Sequence, residues 1–406
     1  MNQVAHASAP NLASLGRRLR RVVTRAHARV LAYQHLWRRA GIPAEALAIH
    51  EPTDLGRLPV TQRESLEAFS VDERRDWRWP RALLRIERSG GSTGTPFAVP
   101  VDPITHLRRQ LRFLRAALAC GYRPGDRFLM LTTRPTGRHP TLPGCFCMNV
   151  RADQRALARI YTQFQPRVLY GPLNALLVLA DELNTSASPC HRPAVVIATA
   201  EQLGGADRAR LQRTFGSDPA DFYGSTEAGL VAWRLPGMRQ FRTASRDLHM
   251  EFLPAQTGGG LEHLVLTDLR PGTCMPLVRF DTGDLVARDL EHPEQPIVGF
   301  RGRIVDSLRR ADGRPVSAYR VTLLLEAIPE VTRYQVVQRP DGRVDAYVGD
   351  ETAQAQETAQ GIHAGLAELM GPGVTIRVHM GTRDVGAGQR KLRPVRTEVE
   401  DKACAS

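Results

Sequence analysis

Lysine is nearly absent from this sequence of 406 residues, in which it occurs only as Lys391 and Lys402. Of the 55 basic residues, these two are lysine and the other 53 are arginine. Arginine is therefore accepted wherever a positive surface charge is sufficient. Because a compact ammonium and a forked guanidinium are not interchangeable in a tight site, a lysine retained inside a motif is informative about chemistry.

Long apolar runs and aromatic clusters are also lacking. No segment reaches the roughly 18 apolar residues of a membrane-spanning helix, so we expect no membrane association of that kind. The net charge of +13 invites a nucleic-acid-binding interpretation, but the basic residues are scattered and only 6% of the residues are aromatic. Because no platform for stacking bases is visible, we expect no nucleic-acid partner.

Cysteine is sparse, with six residues in the whole chain, which does not indicate a disulfide scaffold. Cys145 and Cys147 are closely spaced and follow His139, so they could form half of a zinc site. No second close pair completes such a site. The role of the two cysteines stays open at this point.

Acidic residues are missing from positions 1–44, while six arginines crowd the segment from Arg17 to Arg29. This composition is typical of a mitochondrial transit peptide. The apolar residues of the segment nevertheless recur at helical spacing, which an amphipathic helix folded onto the protein explains as well. These residues are Leu15, Leu19, Val22, Val23, Ala26 and Val30. We favour the folded helix and a cytoplasmic location.

Helical and strand-like segments alternate from residue 102 onward, which indicates a parallel sheet covered on both faces. Helices are predicted over 102–120, 154–164, 173–183 and 207–215, and strands over 128–131, 167–170, 194–199 and up to 223. Ligands of such sheets bind outside the carboxyl ends of the strands. Glu201 and the segment 223–227 are predicted to emerge there.

A segment richer in strands follows, with strands predicted over 264–267 and 277–280. Beyond residue 306 the pattern restarts as a compact α+β unit of about 100 residues, a size typical of a small domain. Its helices are predicted over 317–327 and 352–370, its strands over 333–339 and 374–379, and its turns at 312–313 and 341–342. We therefore expect one domain over 1–305 and a second over 306–406.

A loop rich in glycine and hydroxyl groups interrupts the chain before residue 96. Its members are Ser89, Gly90, Gly91, Ser92, Thr93, Gly94 and Thr95. Predicted strands over 82–86 and 97–101 flank the loop, so it forms the tip of a hairpin. Glycines let backbone N–H groups converge on phosphate oxygens, although a plain surface turn has a similar composition. The Walker pattern is excluded because Gly90 and Gly94 are one residue too close and no lysine follows.

Three further motifs follow the loop. They are Tyr223-Gly224-Ser225-Thr226-Glu227, Arg279-Phe280-Asp281-Thr282-Gly283-Asp284, and Gly302-Arg303 with Asp306 close behind. Lys391 then lies in a late segment, 388–394. In this order and spacing, the motifs resemble those of the adenylate-forming superfamily of acyl-CoA synthetases, and in particular its phenylacetate-CoA ligase-like branch. The resemblance covers nearly the whole chain.

The resemblance implies an α/β fold, with a large N-terminal domain of helix-covered, mostly parallel sheets and a smaller α+β C-terminal domain that moves about Asp306. It implies that ATP activates a carboxylic acid, aromatic in this branch, to an acyl-adenylate. The acyl group then passes to a thiol, most directly that of coenzyme A. The implied cofactors are ATP, Mg²⁺ and coenzyme A as a co-substrate.

The resemblance also implies roles for single residues. The loop 89–95 would hold the β- and γ-phosphates, and Glu227 would bind Mg²⁺, which prefers carboxylate oxygens. Thr226 would donate to the α-phosphate, and Lys391 would lie between the carboxylate of the acid and that phosphate. The remaining nucleotide-binding residues would be Tyr223 against the adenine, Gly224 and Ser225 beside it, Asp284 and Arg303 at the ribose, and Glu201 at the acid pocket.

Some positions depart from the family pattern. Thr95 stands where many relatives have lysine, so Arg88 is a candidate for the missing charge. Arg390 replaces the glycine that usually precedes the catalytic lysine, and two residues separate Arg303 from Asp306. The acid pocket is expected from segments 131–150 and 170–173.

Other functions stay open. The acceptor could be the phosphopantetheine arm of a carrier protein or an amine, and a homodimer is compatible with the sequence. From other classes, the rivals are a catalytically inactive nucleotide-binding protein and an arginine-rich nucleic-acid-binding protein. Retention of Glu227, Asp284 and Lys391 argues against an inactive enzyme.

Overall fold

A computed structural model describes the protein over residues 12–88, 97–132, 135–139, 142–150, 154–185, 191–255, 260–292, 296–303, 308–316, 320–321, 324–325, 328, 330–331, 334–349, 355–381 and 395–399. Within these ranges, no helix combines the length and the apolar content needed to cross a membrane.

The arginine-rich N-terminal segment is folded, as one of the two interpretations predicted. It forms helices α1 (Leu12–Arg29) and α2 (Leu31–Arg39). The predicted apolar face of α1 is buried in a large hydrophobic cluster, with Leu19 and Val23 fully covered. Burial of this face, rather than charge on the opposite one, holds the helix in place, since an isolated helix of this length is marginal in water.

Short elements lead from α2 to the hairpin. They are 3₁₀ helices Ala44–Leu47 and Pro52–Arg57, helices α3 (Arg63–Glu67) and α4 (Val71–Arg74), a third 3₁₀ helix Arg81–Leu83, and strands β1 (Arg85–Arg88) and β2 (Ala98–Val101). Pairing of β1 with β2 confirms the predicted hairpin. The strand predicted over 82–86 was wrong in its first residues, because the segment after Pro80 closes a 3₁₀ turn.

The next elements build the largest sheet. They are α5 (Pro103–Ala119), β3 (Phe128–Thr132), β4 (Gly137–Arg138), β5 (Cys145–Asn149), α6 (Gln154–Phe164), β6 (Val168–Pro172), α7 (Leu173–Thr185), β7 (Val195–Thr199), α8 (Gly205–Phe215), β8 (Ala220–Ser225), β9 (Gly229–Arg234) and β10 (Arg242–Thr243). The strand order is β10-β9-β8-β7-β6-β3-β5-β4. Its five central strands are parallel, as the alternating pattern predicted.

Both faces of this sheet are covered. Leu169 and Val196 face a core that includes residues of α6, α7 and α8, whereas their neighbours Val168 and Val195 face a second core that includes α5. A strand buried on both faces must be apolar at consecutive positions, which accounts for the continuous runs seen in the sequence. The loops that follow the parallel strands emerge at the carboxyl edge of the sheet.

A second sheet of four strands is antiparallel throughout. It contains β11 (Leu248–Pro254), β12 (Glu262–Asp268), β13 (Phe280–Arg288) and β14 (Ile297–Arg303), in that order. The strand predicted over 277–280 was wrong, since β13 begins only at Phe280. Asp268 accepts the N–H of Leu277 at 2.8 Å, and Arg279 has φ 44°, a left-handed conformation incompatible with a strand.

The C-terminal part has its own α+β elements and its own core. They are β15 (Leu308–Arg309), β16 (Pro315–Val316), β17 (Tyr334–Gln338), β18 (Val344–Val348), α9 (Ala355–Met370), β19 (Ile376–His379) and β20 (Val395–Thr397). The sheet order is β19-β18-β17-β20. A separate hydrophobic cluster joins this sheet to α9, through Val336 and Leu366 among others. The helix predicted over 317–327 lies largely outside the described residues.

Candidate active site

The turn between β8 and β9 carries Thr226 and Glu227 at the carboxyl edge of the parallel sheet. Gly224 is required just before it, because a Cβ at this position would lie 2.5 Å from the carbonyl oxygen of Gly229. Ser225 Oγ accepts the N–H of Ala228 at 3.2 Å, which closes the turn. The motif residues 224 and 225 therefore shape the backbone that presents Glu227.

Arg109 of α5 holds the backbone of this turn. Its Nη1 donates to the carbonyl of Thr226 at 3.1 Å, and its Nη2 donates to the carbonyl of Glu227. The same guanidinium pairs with Glu87 of β1 at 3.1 Å. Glu87 lies two residues before the glycine-rich loop, so Arg109 connects the hairpin that carries the loop to the turn that carries Glu227.

Arg112, one turn further along α5, holds the next part of the backbone. Its Nη1 donates to the carbonyls of Ala228 at 3.1 Å and Leu230 at 2.7 Å. Its Nε donates to Asp247 at 3.2 Å. Burial lowers the pKa of Arg112, and the nearby Asp247 opposes that shift. No sequence pattern had marked Arg109 or Arg112 as site residues.

The carboxylate of Glu227 is available for a cation. The residue is 7% exposed, and no described residue donates a hydrogen bond to its side chain. The nearest opposite charge is Arg63 of α3, whose Nη1 lies 3.9 Å from Oε1. A sheltered carboxylate whose oxygens remain uncommitted suits a hard divalent cation such as Mg²⁺.

Tyr223 and Asp284 meet although they lie 61 residues apart in the sequence. The hydroxyl of Tyr223 donates to Asp284 Oδ2 at 2.6 Å, which joins the large sheet to the antiparallel one. Asp284 is opposite Arg303 in the pairing of β13 with β14. The structure thus brings together the backbone positions of three residues that the sequence had assigned to the nucleotide.

Phe300 of β14 also belongs to this part of the site. Its ring stacks on Tyr223 with a centroid separation of 3.5 Å and an interplanar angle of 14°. Phe241 supports the stack edge-on, 5.0 Å from Phe300. Sequence analysis missed Phe300, because an isolated aromatic residue in a strand carries no signal of a distant partner.

The other charged residues of the motif 279–284 are structural. Arg279 pairs with Glu251 at 3.0 Å and donates to the carbonyl of Leu58. Asp281 accepts the N–H of Gly283 at 2.8 Å and lies 3.3 Å from Nδ1 of His263. Burial alone would raise the pKa of Asp281, but these contacts lower it below its usual value. Asp284 is therefore the motif residue that reaches Tyr223.

No protein-family model matches the sequence, and no curated protein matches it significantly. Solved structures do match. A 2-hydroxyisobutyryl-CoA ligase in the postadenylation state has a TM-score of 0.72 at 14% identity, covering 95% of this chain and 89% of that one. An anthranilate CoA ligase in complex with anthranoyl-AMP has a TM-score of 0.56 at 18% identity, covering 75% and 65%.

ATP-bound MatB from Rhodopseudomonas palustris has a TM-score of 0.52 at 17% identity, covering 74% of this chain and 64% of that one. The protein has the fold of these CoA ligases. The α/β class, with a large part built on a mostly parallel sheet and a smaller α+β part, is confirmed. At these identities the comparison shows the fold, and the roles of single residues stay predictions.

Within this fold, Glu201 follows β7, and its side chain reaches the N-terminal end of α7. Its Oε2 accepts the N–H of Asn174 at 2.9 Å, where the positive end of the helix favours a carboxylate. Ala200 before it has φ 72°, so the chain turns sharply after β7. Glu201 therefore stabilises the local structure beside the predicted acid pocket.

Tyr170, predicted to line the acid pocket, lies in an aromatic cluster on the α5 side of the sheet. Phe113 of α5 contacts it edge-on at 5.2 Å, and Phe222 lies at 6.5 Å. In the other pocket segment, Nδ1 of His139 accepts the N–H of Leu142 at 3.1 Å and closes a turn. Arg134, in the same pocket segment, lies outside the described residues.

A zinc site at Cys145 and Cys147 gains no support from the structure. Both cysteines are buried on β5. In the described part of the chain, the potential ligands that approach one another closely enough for a metal are Asp289, Glu291 and His292, which are partly or fully exposed.

Several predicted site residues lie outside the described ranges. They are the loop residues 89–95, the hinge residue Asp306 and the catalytic candidate Lys391. The backbone of Arg303 is described at the end of β14, but its side chain is not. The structure therefore describes the part of the predicted site that contains Glu227, Tyr223 and Asp284.

Proposed function

We propose that this protein is an acid–thiol ligase that forms an acyl-adenylate from a carboxylic acid and ATP and then transfers the acyl group to coenzyme A. The observation that carries the proposal is the hydrogen bond of 2.6 Å between Tyr223 and Asp284 beside the Glu227 turn. It lies at the carboxyl edge of the parallel sheet, where α/β folds bind their ligands. Ligases of the same fold have been solved with acyl-AMP and coenzyme A.

The nucleotide would lie along the Tyr223–Asp284 contact. The carboxylate of Asp284 can accept hydrogen bonds from both ribose hydroxyls, as acidic residues do in dinucleotide sites. Tyr223 and Phe300 offer aromatic faces for the adenine, and Arg303 lies opposite Asp284 on the next strand. Gly224 and Ser225 keep the backbone close to this position.

Glu227 is the candidate magnesium ligand, because its sheltered carboxylate is free of hydrogen bonds from the described residues. When bound, the metal would neutralise charge on the phosphates and orient them. Thr226 lies next to it in the turn and would donate to the α-phosphate. The anchoring of the 226–230 backbone by α5 keeps both residues in place during the reaction.

The remaining predicted residues would complete adenylation. The loop from Ser89 to Thr95 would hold the β- and γ-phosphates through backbone N–H groups and hydroxyls. Lys391 would lie between the attacking carboxylate and the α-phosphate, where its compact charge stabilises the transition state. Adenylation releases pyrophosphate and leaves the acyl-adenylate ready for attack by the thiol.

We further propose that residues 306–406 form a mobile domain that moves about Asp306 between the two half-reactions. The separate core of the C-terminal part supports this division. The same 2-hydroxyisobutyryl-CoA ligase gives a TM-score of 0.72 in its postadenylation state and 0.60 in its thioesterification state. These values favour an arrangement in this chain closer to the first state.

The resemblance to the phenylacetate-CoA ligase-like branch favours an aromatic acid as substrate. Coenzyme A is preferred over a carrier-protein arm or an amine as acceptor, and a homodimer is compatible with the proposal. The thiols of Cys120 and Cys274 form no disulfide, which suits a cytoplasmic location.

Carboxylate-dependent exchange of labelled pyrophosphate into ATP tests the proposal directly. We expect exchange with at least one acid of a panel that is rich in aromatic acids. Glu227→Ala should lower the exchange at least about 10²-fold, comparable to the loss of other groups that stabilise transition-state charge. Absence of exchange with every acid in a broad panel would refute the ligase assignment.

A further inference from the structure

Two arginines flank the ring of Phe97, the first described residue after the glycine-rich loop. The guanidinium carbon of Arg74 lies 4.3 Å from the ring centroid, and that of Arg63 lies 5.1 Å from it. Arg63 begins α3 and Arg74 ends α4, so both come from the segment that precedes the hairpin. Cations against an aromatic ring are attracted by its electron-rich face, which holds both side chains beside Phe97.

Arg63 reaches from this ring to the candidate magnesium ligand. Its Nη1 lies 3.9 Å from Oε1 of Glu227, and its Nε pairs with Glu67 at 2.8 Å. The side chain of Arg63 is 15% exposed. It therefore lies between the exit of the glycine-rich loop and the Glu227 turn, in a sheltered position.

Arg74 is more deeply buried, with 5% of its surface exposed. Its Nε donates to the carbonyl of Ser70 at 3.4 Å, whereas its buried Nη1 has no hydrogen-bond partner among the described residues. Burial lowers the pKa of Arg74. Because buried donors are nearly always paired, this unpartnered guanidinium N–H beside Phe97 is a candidate donor to a bound anion.

The loop itself contains no positive charge to balance a polyphosphate. Residues 89–96 are serine, glycine, threonine and proline, and Arg88 at the other end of the loop is exposed on β1. One bound Mg²⁺ leaves a triphosphate with about two negative charges, and phosphate sites normally supply arginine or lysine to meet them. Arg63 and Arg74 are the cations that the described structure places beside the loop exit.

We propose that Arg63 and Arg74 form a binding site for the terminal phosphates of ATP and for the pyrophosphate released from it. The proposal rests on the ligase function and adds two residues to it. Arg63 contacts the phosphate oxygens on the side of the anion that faces Glu227, and Arg74 donates its unpartnered Nη1 to the same anion.

The site assists bond cleavage as well as binding. In adenylation an oxygen of the substrate carboxylate bonds to the α-phosphorus, and the bond from the α-phosphorus to the bridging oxygen breaks. The electron pair of that bond leaves with pyrophosphate, so negative charge grows on the group that Arg63 contacts. A cation placed there stabilises the transition state more than the ground state, which raises the rate.

Titration calorimetry of the full chain with magnesium pyrophosphate tests the site without any acid substrate. We expect saturable binding that falls about tenfold or more in Arg63→Gln, as for the loss of a charge-assisted contact, with partial recovery in Arg63→Lys. Arg74→Lys should weaken the same affinity. Arg81→Gln is the matched control, because Arg81 is exposed in the same segment and pairs with Asp72 on the surface.

Titration with AMP on the same proteins serves as the folding control, since its ribose and adenine would contact Tyr223 and Asp284. Unchanged AMP affinity with weakened pyrophosphate affinity in Arg63→Gln supports the inference. If the wild type does not bind magnesium pyrophosphate, or if Arg63→Gln and Arg63→Lys bind it as tightly as Arg81→Gln does, the inference is overturned.

The two proposals can fail separately. If no acid supports exchange but pyrophosphate binding depends on Arg63, the phosphate site stands and the ligase function falls. If exchange occurs and the KM for pyrophosphate is the same in Arg63→Gln as in the wild type, the ligase function stands and the phosphate site is overturned.

Discussion

Replacing Arg112 by methionine should destabilise the protein through the turn that carries Glu227. Methionine keeps an unbranched apolar stem but removes the guanidinium. The variant loses the donors to the carbonyls of Ala228 at 3.1 Å and Leu230 at 2.7 Å, and the contact with Asp247 at 3.2 Å. The change therefore removes three contacts of one side chain.

The expected loss follows from these contacts. A hydrogen bond from a charged donor contributes about 1.5–3 kcal/mol, and two carbonyls lose such a donor. Asp247 keeps Arg270 as a partner at 2.7 Å, so its charge is not left unpaired and the larger penalty of a broken buried pair is avoided. We expect a destabilisation of about 3–6 kcal/mol. With an unfolding entropy of about 2.1 cal/mol/K per residue over about 300 residues, the melting temperature should fall by about 5–10 °C.

Thermal unfolding followed by circular dichroism measures this loss, with Arg115→Met as the matched control. Arg115 is exposed on the same helix, and such surface changes usually stay within about 0.5 kcal/mol. The control should therefore melt within about 1 °C of the wild type. Equal melting temperatures of Arg112→Met and Arg115→Met would show that the turn is held by other contacts.

Three further predictions concern the proposed catalytic lysine, the proposed domain division and a half-buried histidine. Lys391→Arg should lower the rate of acyl-AMP formation by about 10²-fold, since a cation misplaced by about 1 Å has that effect. Thiolation of synthetic acyl-AMP should stay intact. Equal effects on both half-reactions would show that Lys391 is not part of the site. A chain ending at residue 305 should fold and bind ATP weakly, and an unfolded circular dichroism spectrum would place the boundary elsewhere. Asp281, whose Oδ2 lies 3.3 Å from Nδ1, raises the pKa of His263 above its usual 6.5. The stabilisation from this pair is present below pH 6.5 and is lost as the pH rises through the raised pKa. His263→Gln should therefore flatten the fall in melting temperature between about pH 6 and 8. Parallel curves of melting temperature against pH for the variant and the wild type would contradict the pairing.

The order of the elements could be predicted from the sequence because it follows from local periodicity. The predicted alternation of helices and strands between 102 and 223 appears in the structure with small differences at the ends, but β4 and β5 were not predicted. The hairpin that carries the glycine-rich loop is present. The strand predicted over 277–280 failed because the side chain of Asp268 and the left-handed Arg279 change the backbone there. Such contacts depend on residues outside a local window.

Helix α5 shows how far a pattern can mislead about which face is buried. Leu107, Leu111 and Leu118 recur at helical spacing, a pattern typical of a core-facing side, yet all three are exposed. Arg109 and Arg112 point into the protein instead. The turn after β8 has carbonyl groups inside the protein that need donors, and buried polar groups must be paired. The requirement comes from residues more than 100 positions away, so the helix alone does not reveal it.

The sequence by itself determined the class of fold, the positions of the motifs and the kinds of side chain that they offer, because periodicity and composition are local properties. Tertiary structure decided which of these side chains meet. Tyr223 contacts Asp284 and stacks on Phe300, and Arg63 approaches Glu227, because sheets and helices that are distant in the chain pack against one another. Such a site consists of contacts between residues that are distant in the sequence. Packing of the elements, rather than spacing in the sequence, determines these contacts.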